Sequence, residues 1–202
     1  MGEHTSLWHR IANQLNVGVW ALPFPRRLKA LISRIVYRNP PMPIVTALLA
    51  LKALEAGSIV AVLMGGWGVD ALAGEQLRVH RDLDLIVDHS QLDMALLMLG
   101  GLGFREWFRN PVPAPFGERQ LEGSVVVRDA AMRVVDIHPM HLGDSGPTVA
   151  EGSIDGHRVK CISAELQIQV NARSQIHTRS RREKRRYQTN LETARGALEV
   201  AD

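Results

Sequence analysis

The 202-residue chain predicts a mixed α/β (α+β) fold, a mixed β-sheet core flanked by helices, with a helical N-terminal extension and C-terminal helices. Three observations predict it. Short strand-like runs, the β-branched IVAVLM (59–64) and the alternating DLDLIVD (82–88), exchange with longer apolar stretches, a pattern of strands exchanging with helices. Glycine and proline clusters punctuate the exchanges, and the segments at both ends read as helices. At 46% hydrophobic, the chain has enough apolar surface to bury a full core. The expected organisation is an extension over 1–40, a core over 41–162 and a helical subdomain over 163–202.

In order, residues 4–38 read as two short helices parted by LPFP, and PPMP (40–43) stops one helix and starts the next. Residues 44–56 form an apolar helix that Gly57 ends, and IVAVLM runs as a strand into Gly65-Gly66. WGVDALAGEQL (67–77) reads as a short helix, DLDLIVD as a strand, and QLDMALLMLGGLG (91–103) as a glycine-closed helix. Further strands are expected at 104–109, 121–128, 132–138 and 157–162, with PVPAPFG (111–117) as a loop. A helix starts near Ser163, an N-cap residue type, and a last one covers about 180–199.

Composition narrows the function classes. The single cysteine, Cys161, excludes an intramolecular disulfide framework and any multi-cysteine metal site, which fits a reducing cytoplasm. No signal peptide is read at the amino terminus, and Lys52, Glu55 and Gly57 interrupt the most apolar run, so no membrane association is expected. The net charge of +3 is unevenly spread. RSQIHTRSRREKRR (173–186) holds seven of the 24 basic residues and one of the 21 acidic ones, leaving 17 against 20 elsewhere. A second basic set, Arg26, Arg27, Lys29, Arg34 and Arg38, lies near the amino terminus. Such patches suit a polyanion, or simply form solvated helix faces.

The chemistry centres on RVHRDLDLIVD (78–88). Strand alternation sends Asp82 and Asp84 to one face and Leu83 and Leu85 to the other. Two carboxylates so close repel each other unless a cation sits between them, and hard oxygen donors suit Mg²⁺. Asp136 interrupts a β-branched run in MRVVDIHPM and, on a neighbouring strand, would join them as a ligand or a base. Upstream, Gly65-Gly66 between a strand and a helix allows close backbone approach to phosphate oxygens. Taken alone, each feature has an ordinary reading: a solvated edge strand, a plain turn.

Together, LMGGWGVDALAGEQLRVHRDLDLIV resembles the opening signature of the DNA polymerase β-like nucleotidyltransferase superfamily. The similar branch holds the aminoglycoside and lincosamide nucleotidyltransferases and the nucleotidyltransferase toxins of bacterial toxin–antitoxin pairs. VVDIH, DGHRVKCISAELQIQV and RREKRRYQTNLETA are similar to the branch's later elements, so the resemblance covers roughly 44–198. It implies a nucleotidyltransferase-like core in which Asp82, Asp84 and Asp136 are catalytic and hold Mg²⁺. It also implies an NTP co-substrate bound by Gly65, Gly66, Arg78, His80 and Lys184. An acceptor hydroxyl attacks the α-phosphorus and pyrophosphate leaves.

Arg78 and His80 have a second reading, as neutralising and orienting groups for the acidic strand, and His138 and His141 read as outer or loop residues beside Asp136. Where drug-modifying relatives carry an acidic residue after the lysine, this chain has Arg185 and Arg186. With Arg179, Arg181 and Arg182, they form an expected RNA-binding face. The sequence reading therefore leans toward the tRNA 3′ end as acceptor, in a toxin with a cognate antitoxin partner. Antibiotic nucleotidylyl transfer is the second reading, and a nucleotide-binding module without activity the third.

Overall fold

Alternating burial along DLDLIV, with Asp82 and Asp84 half-buried and Leu83 and Leu85 fully buried, gives this strand one polar and one apolar face. The computed structural model describes residues 40–110, 114–116, 119–143, 146–177 and 181–201. The two N-terminal helices expected over 4–38 lie outside the described residues.

Helix α1 (Ile44–Ala56) leads into β1 (Ala61–Leu63), α2 (Gly65–Ala73), β2 (Asp82–Val87), a 3₁₀ turn (His89–Gln91) and α3 (Leu92–Gly101). There follow β3 (Arg105–Asn110), β4 (Ala114–Phe116), β5 (Arg119–Leu121), β6 (Ser124–Arg128), β7 (Val134–Pro139), β8 (Val149–Ile154) and β9 (His157–Ile162). Helices α4 (Ala164–His177) and α5 (Arg181–Ala201) close the chain. β4 and β5 pair as a small hairpin, and the other seven strands form one sheet in the order β3-β6-β7-β2-β1-β9-β8. β2 runs parallel to β7 and β1 parallel to β9, and the remaining pairs are antiparallel. The expected mixed α+β class is what the chain adopts.

Several boundaries differ from expectation. α2 begins at Gly65, two residues early, and stops at Gly74, whose left-handed backbone (φ 80°) ends it before GEQL. The strand expected over 121–128 is two strands, parted at Gly123 with φ 134°. PVPAPFG contains β4, and β8 was not expected at all. Ser163 does cap α4: its Oγ accepts from the Leu166 N–H at 3.3 Å.

Two apolar clusters flank the sheet. The larger joins Leu83, Leu85, Val135 and Ile137 to Ala47 and Leu54 of α1 and Ala95 and Leu99 of α3. Cys161 belongs to it, and burial pushes its thiol up to about 11, as befits a packing residue. The smaller cluster lies on the face that carries Asp82 and Asp84. It gathers Val62, Ile86, Met140 and Ile162 under Phe116, Leu121 and Val170. α5 packs on α4 and α2, with Asn190 Nδ2 donating to Asn171 Oδ1 at 3.3 Å. Among the described residues no helix is long and apolar enough to cross a membrane.

Asp88, just past β2, ties the lower edge together. Its carboxylate accepts from Ser90 Oγ at 2.6 Å, Ser90 N–H at 2.9 Å and Leu142 N–H at 3.0 Å. The Ser90 hydroxyl first, then these amides, hold its pKa well below the usual carboxylate range. With the folded pKa depressed, its stabilisation is complete above the ordinary value of 3.8 and is lost as the pH falls below that value. Asp88→Asn is expected to lower Tm at pH 7, with the gap to wild type narrowing on acidification from about pH 5 to pH 3. A gap independent of pH, read by thermal melts, would show that the Asp88 charge does not tie this edge.

Candidate active site

The site is built where β1 ends and β2 begins. Met64 N–H donates to the Asp84 carbonyl at 3.1 Å, so the strand delivers Gly65 directly beside Asp84. Gly65 has φ 62°, and a Cβ there would collide with Asp84 Oδ2. A Cβ on Gly66 would run into the His80 ring and the Arg78 guanidinium. The glycine pair is thus a requirement of two kinds, left-handed backbone at Gly65 and space for three side chains. Because the pair lies inside the first turn of α2, its N–H groups are among those a helix leaves unbonded and can donate to an anion.

Trp67 anchors this turn to the acidic strand, its Nε1–H donating to the Asp82 carbonyl at 3.0 Å. Its ring lies 4.7 Å from that of His80. His80 Nε2 meets Asp70 Oδ2 at 2.5 Å with both side chains only 2% exposed, so His80 and Asp70 brace α2 against the approach to β2. Met42, ahead of α1, donates its N–H to the His80 carbonyl at 2.8 Å. Arg78 is half-buried against Gly66.

β2 and β7 pair in parallel with Asp84 directly opposite Asp136 and Ile86 opposite His138. The expected adjacency of the strands is therefore met in exact register. Ligand atoms of Asp84, Asp136 and His138 lie within 4.8 Å of one another. His138 was expected as an outer residue, and it stands in this group, whereas Asp82 does not. Asp136 Oδ1 is buried with no hydrogen-bond partner among the described residues. A buried carboxylate oxygen left without a donor, two acidic groups in register and an imidazole form a donor set that fits a divalent cation. His141 turns away, 3.6 Å from Asp88. Arg185 is exposed on α5, whereas Arg179 and the side chains of Arg181, Arg182, Lys184 and Arg186 lie outside the described residues.

The model of a family described as aminoglycoside-2''-adenylyltransferase matches residues 47–187. The chain belongs to that family. It is accordingly an enzyme, a nucleotidyltransferase of the aminoglycoside and lincosamide branch, and enzymes of this kind use an NTP and a divalent metal. A lincosamide resistance protein of Staphylococcus haemolyticus is 26% identical over 134 residues, spanning 58% of this chain and 77% of that protein. In fold, the family member resembles the antibiotic-resistance factor ANT(2'')-Ia in solution, with TM-score 0.58 at 19% identity over 79% of this chain and 94% of the other. The lincosamide antibiotic adenylyltransferase LnuA with lincomycin bound gives TM-score 0.51 at 20% identity, over 73% and 92% of the two chains.

The two left-handed glycines of α2 separate strain from site chemistry. Gly74 (φ 80°) has open space where a Cβ would sit, and Gly65 does not. Gly74→Ala is expected to cost only the backbone term, roughly 1–2 kcal/mol. Gly65→Ala should cost more in urea unfolding and should also abolish nucleotidyl transfer by displacing the Asp84 carboxylate. Equal losses in both variants would contradict this geometry.

Proposed function

We propose that the enzyme transfers a nucleoside monophosphate, AMP from ATP, to a hydroxyl of an aminoglycoside or lincosamide antibiotic. The observation that carries the chemistry is the register of Asp84 with Asp136 beside the Gly65-Gly66 turn. The acceptor and donor classes are supported by the family and by the lincosamide resistance relative. The arginine run favoured a tRNA acceptor on sequence grounds, and nothing in the relatives supports that acceptor or an antitoxin partner.

In this reading Asp82, Asp84 and Asp136 serve a Mg²⁺-type cation, which when bound offsets negative charge on the phosphate oxygens and the departing pyrophosphate. The first-turn N–H groups of Gly65 and Gly66, with the Arg78 guanidinium against them, hold the triphosphate, and Lys184 adds a further cation. His80, buried against Asp70 and Trp67, acts by positioning this turn rather than by touching phosphate. Asp136 accepts the proton of the attacking hydroxyl. A new bond joins that oxygen to the α-phosphorus as the bond to the pyrophosphate oxygen breaks.

The test is incubation with each α-labelled NTP, Mg²⁺ and, in separate reactions, an aminoglycoside panel, a lincosamide panel and total tRNA. Label from ATP on a drug is expected, with at least a hundredfold loss in Asp136→Asn, within the usual worth of a general base. Label confined to tRNA would overturn the antibiotic reading and restore the RNA acceptor. No transfer to any acceptor would overturn both.

A further inference from the structure

We propose that His138 supplies a nitrogen ligand to the cation centre, so that the centre takes Mn²⁺ in preference to Mg²⁺. The inference rests on the nucleotidyl-transfer reading and deepens it. An all-carboxylate centre needs only Asp82, Asp84 and Asp136, and strand alternation then places one more residue of β7, His138, on the same face. Its opposite partner in register is Ile86, and Met140 follows two residues on, so the ring stands at the edge of the smaller apolar cluster. Burying imidazole nitrogens at an apolar edge is costly unless something binds them.

The described residues offer it little. His138 is 13% exposed, and its Nε2 lies 3.8 Å from Asp136 Oδ2, beyond a hydrogen bond. Its Nδ1 is buried without a hydrogen-bond partner among the described residues, as is Asp136 Oδ1. Two neighbouring groups thus share one deficiency, and both belong to the group whose ligand atoms lie within 4.8 Å of one another. Side-chain rotations would bring these three ligand atoms onto one ion. Mg²⁺ favours oxygen donors and water, whereas an imidazole raises the affinity for Mn²⁺ and its later neighbours.

Electron spin-echo measurements on the Mn²⁺-loaded protein with pyrophosphate, which contains no nitrogen, test this directly. Wild type is expected to show ¹⁴N modulation, which disappears in His138→Gln, with Mn²⁺ affinity falling on the order of tenfold and Mg²⁺ affinity changing far less. Uniform ¹⁵N-histidine labelling should shift the wild-type modulation, which keeps the test independent of whether the variant folds. Bound Mn²⁺ without nitrogen modulation, or modulation that survives in His138→Gln, would overturn the His138 assignment while leaving nucleotidyl transfer standing. Failure to bind Mn²⁺ or Mg²⁺ at all would overturn both.

Discussion

The parallel pairing of β2 with β7 is the constraint on which the rest depends. Its register sets Asp84 against Asp136, two like charges on adjacent strands, and such a pair is destabilising unless a cation or a donor set compensates it. The other sheet face supplies the energy that holds the register. Leu83, Leu85, Val135 and Ile137 are fully or almost fully buried there, and a slip of one residue would turn them to the polar side and the aspartates into the core. Each buried leucine is worth a few kcal/mol, about 2–5 on truncation to alanine. That is ample to hold a repulsive acidic pair in place. The fold spends stability from one face on chemistry at the other.

Positioning of the phosphate turn follows from the same strand. β1 hydrogen-bonds to β2, and its end therefore arrives beside Asp84, where only glycine fits. Trp67 and the buried Asp70–His80 pair then fix α2 against the start of β2, so the helix N-terminus and the carboxylates keep one separation. The charged groups of RVHRD thus divide their work. Arg78 lies at the turn, His80 is sealed beneath it, and the aspartates begin the strand.

Much of this was legible in the sequence, for identifiable reasons. The carboxylates stood out because Asp82 and Asp84 share one face of an otherwise apolar strand and Asp136 interrupts a β-branched run, and Gly65-Gly66 because glycine pairs at a strand end are turn chemistry. β8 was missed because VAEGSI carries glycine, alanine and glutamate, poor strand formers. It becomes a strand through its pairing with β9 across the Asp155-Gly156 turn. β4 hid in a proline-rich stretch, held by Phe116 in the smaller cluster. His138 was underrated because its neighbourhood depends on register across two strands, which no local pattern encodes. The arginine run pulled the acceptor toward RNA, since charge density alone carries no information on what the site faces.

Iron-directed cleavage tests most directly where the cation sits. With Fe²⁺ in place of the native metal, ascorbate and peroxide generate hydroxyl radicals that cut the backbone within a short radius of the ion. Cuts are predicted in three clusters, around Gly65, around Asp84 and between Asp136 and His138, suppressed by excess Mg²⁺ or Mn²⁺. Cuts concentrated instead near Asp88 and His141, or spread without focus along the chain, would contradict a centre organised by the β2–β7 register.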